Sequence, residues 1–77
     1  MSENEHKILE LLRVYNEDIP NDVTANLLHG GYIDSFDIVN IVADLEEKFH
    51  IEIDPEDIAP DNFENVSSIG ELLEKYI

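Results

Sequence analysis

One helical stripe constrains this chain more than any other feature. Ile38, Ile41, Val42, Leu45 and Phe49 recur at intervals of three and four residues, which places them on a single face of a 3.6-residue turn. Asn40, Asp44, Glu47 and Lys48 fall elsewhere on the same cylinder. A face of that size must be buried against others of its kind. The chain supplies two more: Ile8, Leu11, Leu12 and Tyr15 before it, and Ile69, Leu72, Leu73 and Tyr76 after it. Three such stripes turned inward predict an all-α fold, a small helical bundle. At 77 residues the expectation is one domain spanning 1–77, close to the smallest size that a single core sustains unaided.

The breaks between stripes predict the remaining elements. Ser2 and Glu5 fit a capping box, so the first helix starts near residue 3 and ends between Asn16 and Pro20. Residues 17–34 form a long connection, with a turn at Pro20-Asn21-Asp22, a flexible close at Gly30-Gly31, and room for one helical turn. Val23, Leu27, Leu28 and Ile33 are candidates to pin it to the core. Asp34 is a suitable N-cap for the second helix, which places Ser35 and Phe36 in its first turn and Asp37 where an acid complements the dipole. Ile51 and Ile53 lead into Asp54-Pro55, a cap followed by proline at the first helical position. The third helix must be short because Pro60 interrupts it. Ser68 and Glu71 suggest another capping box, starting the last helix near Ser67 or Ser68. The expected architecture is therefore a small four-helix bundle: three main helices, one short third helix and a long first loop.

Charge and composition narrow the function. The 19 acidic residues against four basic ones give a formal charge of −15. Such a field repels phosphate backbones and anionic lipid, so neither nucleic acid nor a stable membrane contact is expected. It favours encounter with proteins that carry basic patches. The hydrophobic fraction of 43% argues against disorder. Cysteine is absent, which removes disulfides, thiolate metal sites and a cysteine nucleophile. No apolar run approaches the roughly 18 residues of a membrane span, and the N-terminus lacks a signal peptide's apolar core. The expectation is a cytoplasmic monomer. No metal site is expected either. Counting a calcium loop from Asp54 puts Ile58 at the fifth position, Ala59 where glycine is required and Asn65 at the twelfth, and the pattern fails at all of them.

What remains is Gly30-Gly31-Tyr32-Ile33-Asp34-Ser35-Phe36-Asp37. It sets a serine hydroxyl at the mouth of the apolar helix with an acid on either side. Unpaired N–H groups and the helix dipole would favour a phosphate ester on that hydroxyl. Asp34 and Asp37 oppose a phosphate, yet can meet a metal or basic groups on a modifying enzyme. Serine is also common near helix starts for no functional reason. Catalysis by Ser35 would need a base within hydrogen-bond reach. The nearest candidate, His29, precedes two glycines in a loop, so no catalytic residue is expected.

The Asp34-Ser35-Phe36 motif, the preceding glycine loop, the helix ending Leu45-Glu46-Glu47-Lys48-Phe49 and the later Asp54-Pro55-Glu56-Asp57-Ile58 together resemble the carrier-protein family. Its members include acyl, peptidyl and D-alanyl carrier proteins, and the similarity extends over nearly the whole chain. The resemblance implies a bundle of the acyl-carrier type with 4′-phosphopantetheine on Ser35 through a phosphodiester. A phosphopantetheinyl transferase would add the group from coenzyme A, and its thiol would hold acyl or aminoacyl groups as thioesters. The missing cysteine is thereby answered, and the chain itself is not an enzyme. Asp34 and Asp37 match the acids beside the modified serine. Phe36 stands where leucine is usual and partners gain an apolar contact, while Asp44 and Glu47, and less directly Glu46, extend an acidic recognition face. Ile38, Val42 and Ile58 are candidates to line an acyl pocket, with plain core packing the competing reading.

Tyr32-Ile33 before the motif, Phe36 and Asn40 depart from the fatty-acid-synthesis pattern. They look more like stand-alone carriers charged by an ATP-dependent ligase, aminoacyl carriers included, than like the main fatty-acid protein. The partners the resemblance implies are the transferase and an acyl- or aminoacyl-loading ligase or synthase with a basic docking patch. The alternative reading is an unmodified acidic protein-interaction domain, with the same helix face and no covalent arm. Under either reading the crowded acids repel one another, so added salt should raise the melting temperature. A thermal melt unmoved by salt would show that the carboxylates are dispersed or paired.

Overall fold

A computed structural model describes residues 1–77 as three α-helices and two short 3-10 turns, with no strand. The first helix, α1, runs from Glu3 to Arg13. Ser2 Oγ accepts the Glu5 N–H at 3.1 Å and Glu5 Oε1 accepts the Ser2 N–H at 2.9 Å. This reciprocal pair satisfies two donors that a helix start leaves over. The buried face comprises Ile8, Leu9 and Leu12. Leu11 is only half-buried, because α1 packs on both α3 and α2 and its covered arc turns toward Leu9. Tyr15 lies beyond the helix end, where its half-buried ring carries its hydroxyl to the Asp44 carboxylate.

Residues 14–34 cross one end of the bundle as an ordered loop. Ile19, Leu27 and Ile33 are buried, with Val23 and Leu28 half-buried beside them. Leu27 N–H donates to Glu64 O at 2.8 Å, and Val23 O accepts from Ser67 N–H at 3.0 Å. The loop is thus stitched to the start of the last helix as well as sunk into the core. Its single helical turn is the bond from Gly30 N–H to Asn26 O at 2.9 Å.

The second helix, α2, spans Ser35–Phe49 and buries Ile38, Ile41, Val42 and Leu45, with Phe49 half-buried. It stops at His50, whose φ of 56° turns the chain into the left-handed region. The short third helix resolves into two 3-10 turns, Pro55–Asp57 and Pro60–Phe63. Ile58, at ψ 74°, has left helical geometry before Pro60 arrives. The second turn packs on both α2 and α3 and buries Phe63 completely.

The last helix, α3, is Val66–Glu74. Its cap is Asn65, whose side chain accepts the Ser68 N–H at 2.7 Å, so Ser68 lies inside the first turn and does not cap it. The reason is Val66: at 1% exposure it belongs to the core, and the helix must start early enough to turn it inward. Ile69, Leu72 and Leu73 complete the buried face, while Tyr76 is half-buried past the helix end.

All sixteen buried residues are hydrophobic. The bond between Tyr15 and Asp44 therefore holds the α1 exit to α2 from the rim of the core. It pushes the Tyr15 phenol up to about 12, with burial and the charges of Asp44 and Asp37 adding to the effect. An unfolded tyrosine ionises near about 10. As pH rises from there toward 12, the unfolded chain gives up a proton that the folded chain keeps, so stability falls. Tyr15→Phe should cost about 1 kcal/mol at neutral pH and flatten this alkaline loss, as read from urea melts across pH.

Candidate functional site

The site is built on the start of α2. Asp34, at φ −121° and ψ 179°, is extended, and its Oδ1 accepts N–H groups from Phe36 and Asp37, both at 3.0 Å. Asp37 Oδ2 accepts the Asp34 N–H at 3.1 Å. The flanking acids therefore hold each other's backbone. Ile33 before the cap and Ile38 after it are 4% and 5% exposed. Two buried anchors so placed turn the intervening Ser35 side chain to solvent, where its hydroxyl makes no hydrogen bond within the chain.

The approach to the cap depends on two glycines for different reasons. Gly31 has a φ of +76°, the left-handed region that side chains with a Cβ rarely adopt. Gly30 lies where a Cβ would come within 2.3 Å of Asn26 O. Tyr32 and Ile33 N–H groups then both donate to Leu27 O, at 2.9 and 3.1 Å, which leads the chain down to the buried Ile33.

The helix tip is less free than the sequence suggests. The Phe36 and Asp37 amides, the next donors after the unbonded N–H of Ser35 itself, are taken by Asp34. An ester on Ser35 would meet a capped helix and two carboxylates, with no open amide cradle at those positions. His29 is exposed, with its backbone N–H on Asn26 Oδ1 at 2.8 Å and no bond to Ser35. Nothing in this arrangement activates the serine.

The acids read as one recognition face are divided by the structure. Phe36 is 82% exposed and Glu47 is also exposed. Asp37 and Asp44 are half-buried, the first in the capping box and the second on Tyr15. Asp44 and Glu47 line an open groove of about 560 Å³ with Glu10, Leu11, Val14 and Lys48. Val39, 68% exposed one turn on from Phe36, joins it on the outward face. The sequence signal for Val39 was an apolar pair at i, i+3 outside the stripe.

Ile38 and Val42 are core residues, 5% and 6% exposed. Ile58 is half-buried over the same core. No cavity is lined by any of them. Nor do any three His, Asp or Glu side chains converge as metal ligands. No helix is long and apolar enough to cross a membrane.

Comparison with known families gives one match: the family model described as phosphopantetheine attachment site covers residues 6–74. No curated protein and no solved structure matched significantly. The match takes in α2 whole, the stitched loop before it and both 3-10 turns. Carrier domains of this kind are not themselves catalytic. The chain belongs to the phosphopantetheine-attachment family, whose members bear 4′-phosphopantetheine as a covalent prosthetic group and act as its carriers.

Proposed function

We propose that Ser35 is the attachment residue and that residues 1–77 form one carrier domain for acyl or aminoacyl groups. The observation that carries this reading is the solvent-facing Ser35 hydroxyl, unbonded within the chain and fixed between buried Ile33 and Ile38. It also meets the steric need of the group, since an exposed first-turn side chain leaves a modifying enzyme room to approach.

In the transfer step Ser35 Oγ attacks the phosphorus that bears the pantetheine arm in coenzyme A. A new P–O ester forms, adenosine 3′,5′-bisphosphate leaves, and the hydroxyl proton passes to a base on the phosphopantetheinyl transferase. When bound, the group supplies the thiol that this cysteine-free chain lacks, and with it thioester chemistry. The chain's residues do the rest by position. Asp34 and Asp37 fix the helix start and place negative charge where a transferase can bring a metal ion or basic groups. Phe36 and Val39 offer apolar contact beside Ser35.

On this reading a loading ligase or synthase with a basic docking patch reaches a monomeric, cytoplasmic carrier that contributes no catalytic residue of its own. An acyl chain entering the bundle would have to part Ile38 and Val42 from their neighbours and pass Ile58, because that space is filled.

Intact-mass measurement after incubation with coenzyme A and a broad-specificity transferase tests the attachment. One adduct of phosphopantetheine mass is expected on the wild type and none on Ser35→Ala. Wild-type protein left unmodified by several transferases would favour the unmodified interaction domain. Docking is better tested at Glu47 than at Asp37, since the latter also holds the cap. Glu47→Lys should slow transfer a few-fold at low salt and leave the fold intact, with the difference fading as salt rises. An unchanged rate at low salt would remove Glu47 from the docking surface.

A further inference from the structure

Two consecutive side chains just past the end of α1 reach the element that carries Ser35 at two different places. Tyr15 donates its hydroxyl to the Asp44 carboxylate, well inside α2. Asn16 Nδ2 donates to the Tyr32 carbonyl at 3.2 Å, two residues ahead of the Asp34 cap. The half-buried carboxamide is not free to swap its ends. Its Oδ1 accepts the Asp18 N–H at 2.9 Å, so the polarity of each partner fixes which atom faces it. The backbone beneath it is fixed as well. Asn16 N–H donates to Leu12 O at 3.2 Å, and Asn16 O accepts the N–H of buried Ile19 at 3.3 Å. The rest of the approach to Ser35 is bonded only to itself. The Gly30 and Gly31 N–H groups donate to Asn26 O and Leu28 O, those of Tyr32 and Ile33 donate to Leu27 O, and Asp34 pairs with Phe36 and Asp37. For residues 30–34 the Asn16 amide is therefore the one hydrogen bond that reaches outside residues 26–37. Two glycines in that stretch give it backbone freedom that an external tie removes.

We propose that Asn16 is a positioning residue for the modification of Ser35, its side-chain amide holding the Tyr32 peptide so that the serine hydroxyl is presented at a fixed place. The proposal rests on Ser35 being the attachment residue. In that step Ser35 Oγ forms the new P–O ester, adenosine 3′,5′-bisphosphate leaves, and the hydroxyl proton goes to a base on the transferase. Asn16 touches none of these atoms and acts through the backbone. The held Tyr32 peptide sets where Ile33 enters the core, and the cap and the serine follow directly. Without its donor the glycine-bearing turn can shift, and a displaced attacking oxygen slows transfer. Phe36, Val39 and Glu47 stay exposed on the outward side, so the surface on which the transferase docks is kept.

Intact-mass time courses with coenzyme A and a broad-specificity phosphopantetheinyl transferase, run over a range of carrier concentrations, separate kcat from KM. Asn16→Asp is the informative variant, because it keeps the acceptor for Asp18 and replaces the donor to Tyr32 with an oxygen. Its kcat should fall ~5- to 10-fold, the equivalent of one hydrogen bond, while KM for the carrier stays within about twofold. Asp22→Ala is the control for a loosened loop, since Asp22 Oδ1 holds only Thr24, at 2.9 and 2.7 Å, within the same connection. It should leave kcat within about twofold whatever it does to the melting temperature. An unchanged kcat in Asn16→Asp would overturn the proposal, as would an equal fall in Asp22→Ala or a change confined to KM. If Asn16→Asp does not fold, Asn16→Ser drops the donor to Tyr32 without adding charge and is judged by the same comparison. Wild-type protein that takes up no adduct would remove the attachment reading and this proposal with it. A modified wild type beside an equally fast Asn16→Asp would remove this proposal alone.

Discussion

The structure depends first on the Asp34 carboxylate. By taking the Phe36 and Asp37 amides on one oxygen, it fixes the residue at which α2 begins. A start displaced by one residue would rotate every side chain about 100° around the helix axis. Ile38, Ile41, Val42 and Leu45 would leave the core together, and Ser35 would turn away from its outward position. Packing of the bundle and presentation of the hydroxyl are therefore one decision. The same bonds use up the two amides that follow Ser35's own, so an ester on Ser35 would find few free donors and be held chiefly by its covalent bond. A group meant to reach several enzymes gains from such loose retention.

Carboxylates elsewhere do comparable work. Glu5, Asp22, Glu46 and Asp54 each accept backbone N–H groups, while Asp44 and Asp57 accept tyrosine hydroxyls. The ion pairs are only Lys7 with Glu3 at 3.8 Å and Lys75 with Asp57. With four basic side chains available, this fold is stitched by acid-to-amide bonds far more than by opposite charge. Asp57 shows the consequence: Tyr76 first, then Lys75, hold its carboxyl below the usual range. Its contribution is present above that ordinary range and is lost as pH falls through the lowered value. Acidification thus removes fixed bonds even as it relieves repulsion.

Much of this could be read from the chain. The capping patterns at Ser2 and Asp34 and the stripe of α2 follow from local chemistry, and the structure reproduces them. Ser68 and Glu71 present the more regular capping pattern in sequence, yet Asn65 is the cap, and only the burial of Val66 decides between them. Ile19 and Phe63 are fully covered, yet each stands in a stretch without periodicity, so no pattern marked them. Asp37 and Asp44 looked like surface acids on a helical projection. Asp44 borders α1 across the groove and the charge of Asp37 reaches Tyr15 past the α1 end, neighbours that a single-helix projection does not contain. The outward placing of Ser35 was legible because cap, glycine turn and helix are all local; the division of the acids around it was not.

That division separates two physical roles on the proposed docking face. Net charge acts over about 10 Å in ordinary salt, so it can orient an approaching basic partner before contact, and the exposed carboxylates of Glu10 and Glu47 remain available for this. Contact is different. Phe36 and Val39 are 82% and 68% exposed in a chain that buries sixteen other apolar side chains. No element of the bundle covers them, and each keeps water on a surface that burial would relieve at about 25 cal/mol per Å². A partner that reaches Ser35 from the outward side must cover this pair. Charge would then govern how quickly such a partner arrives, and the two apolar side chains how long it stays.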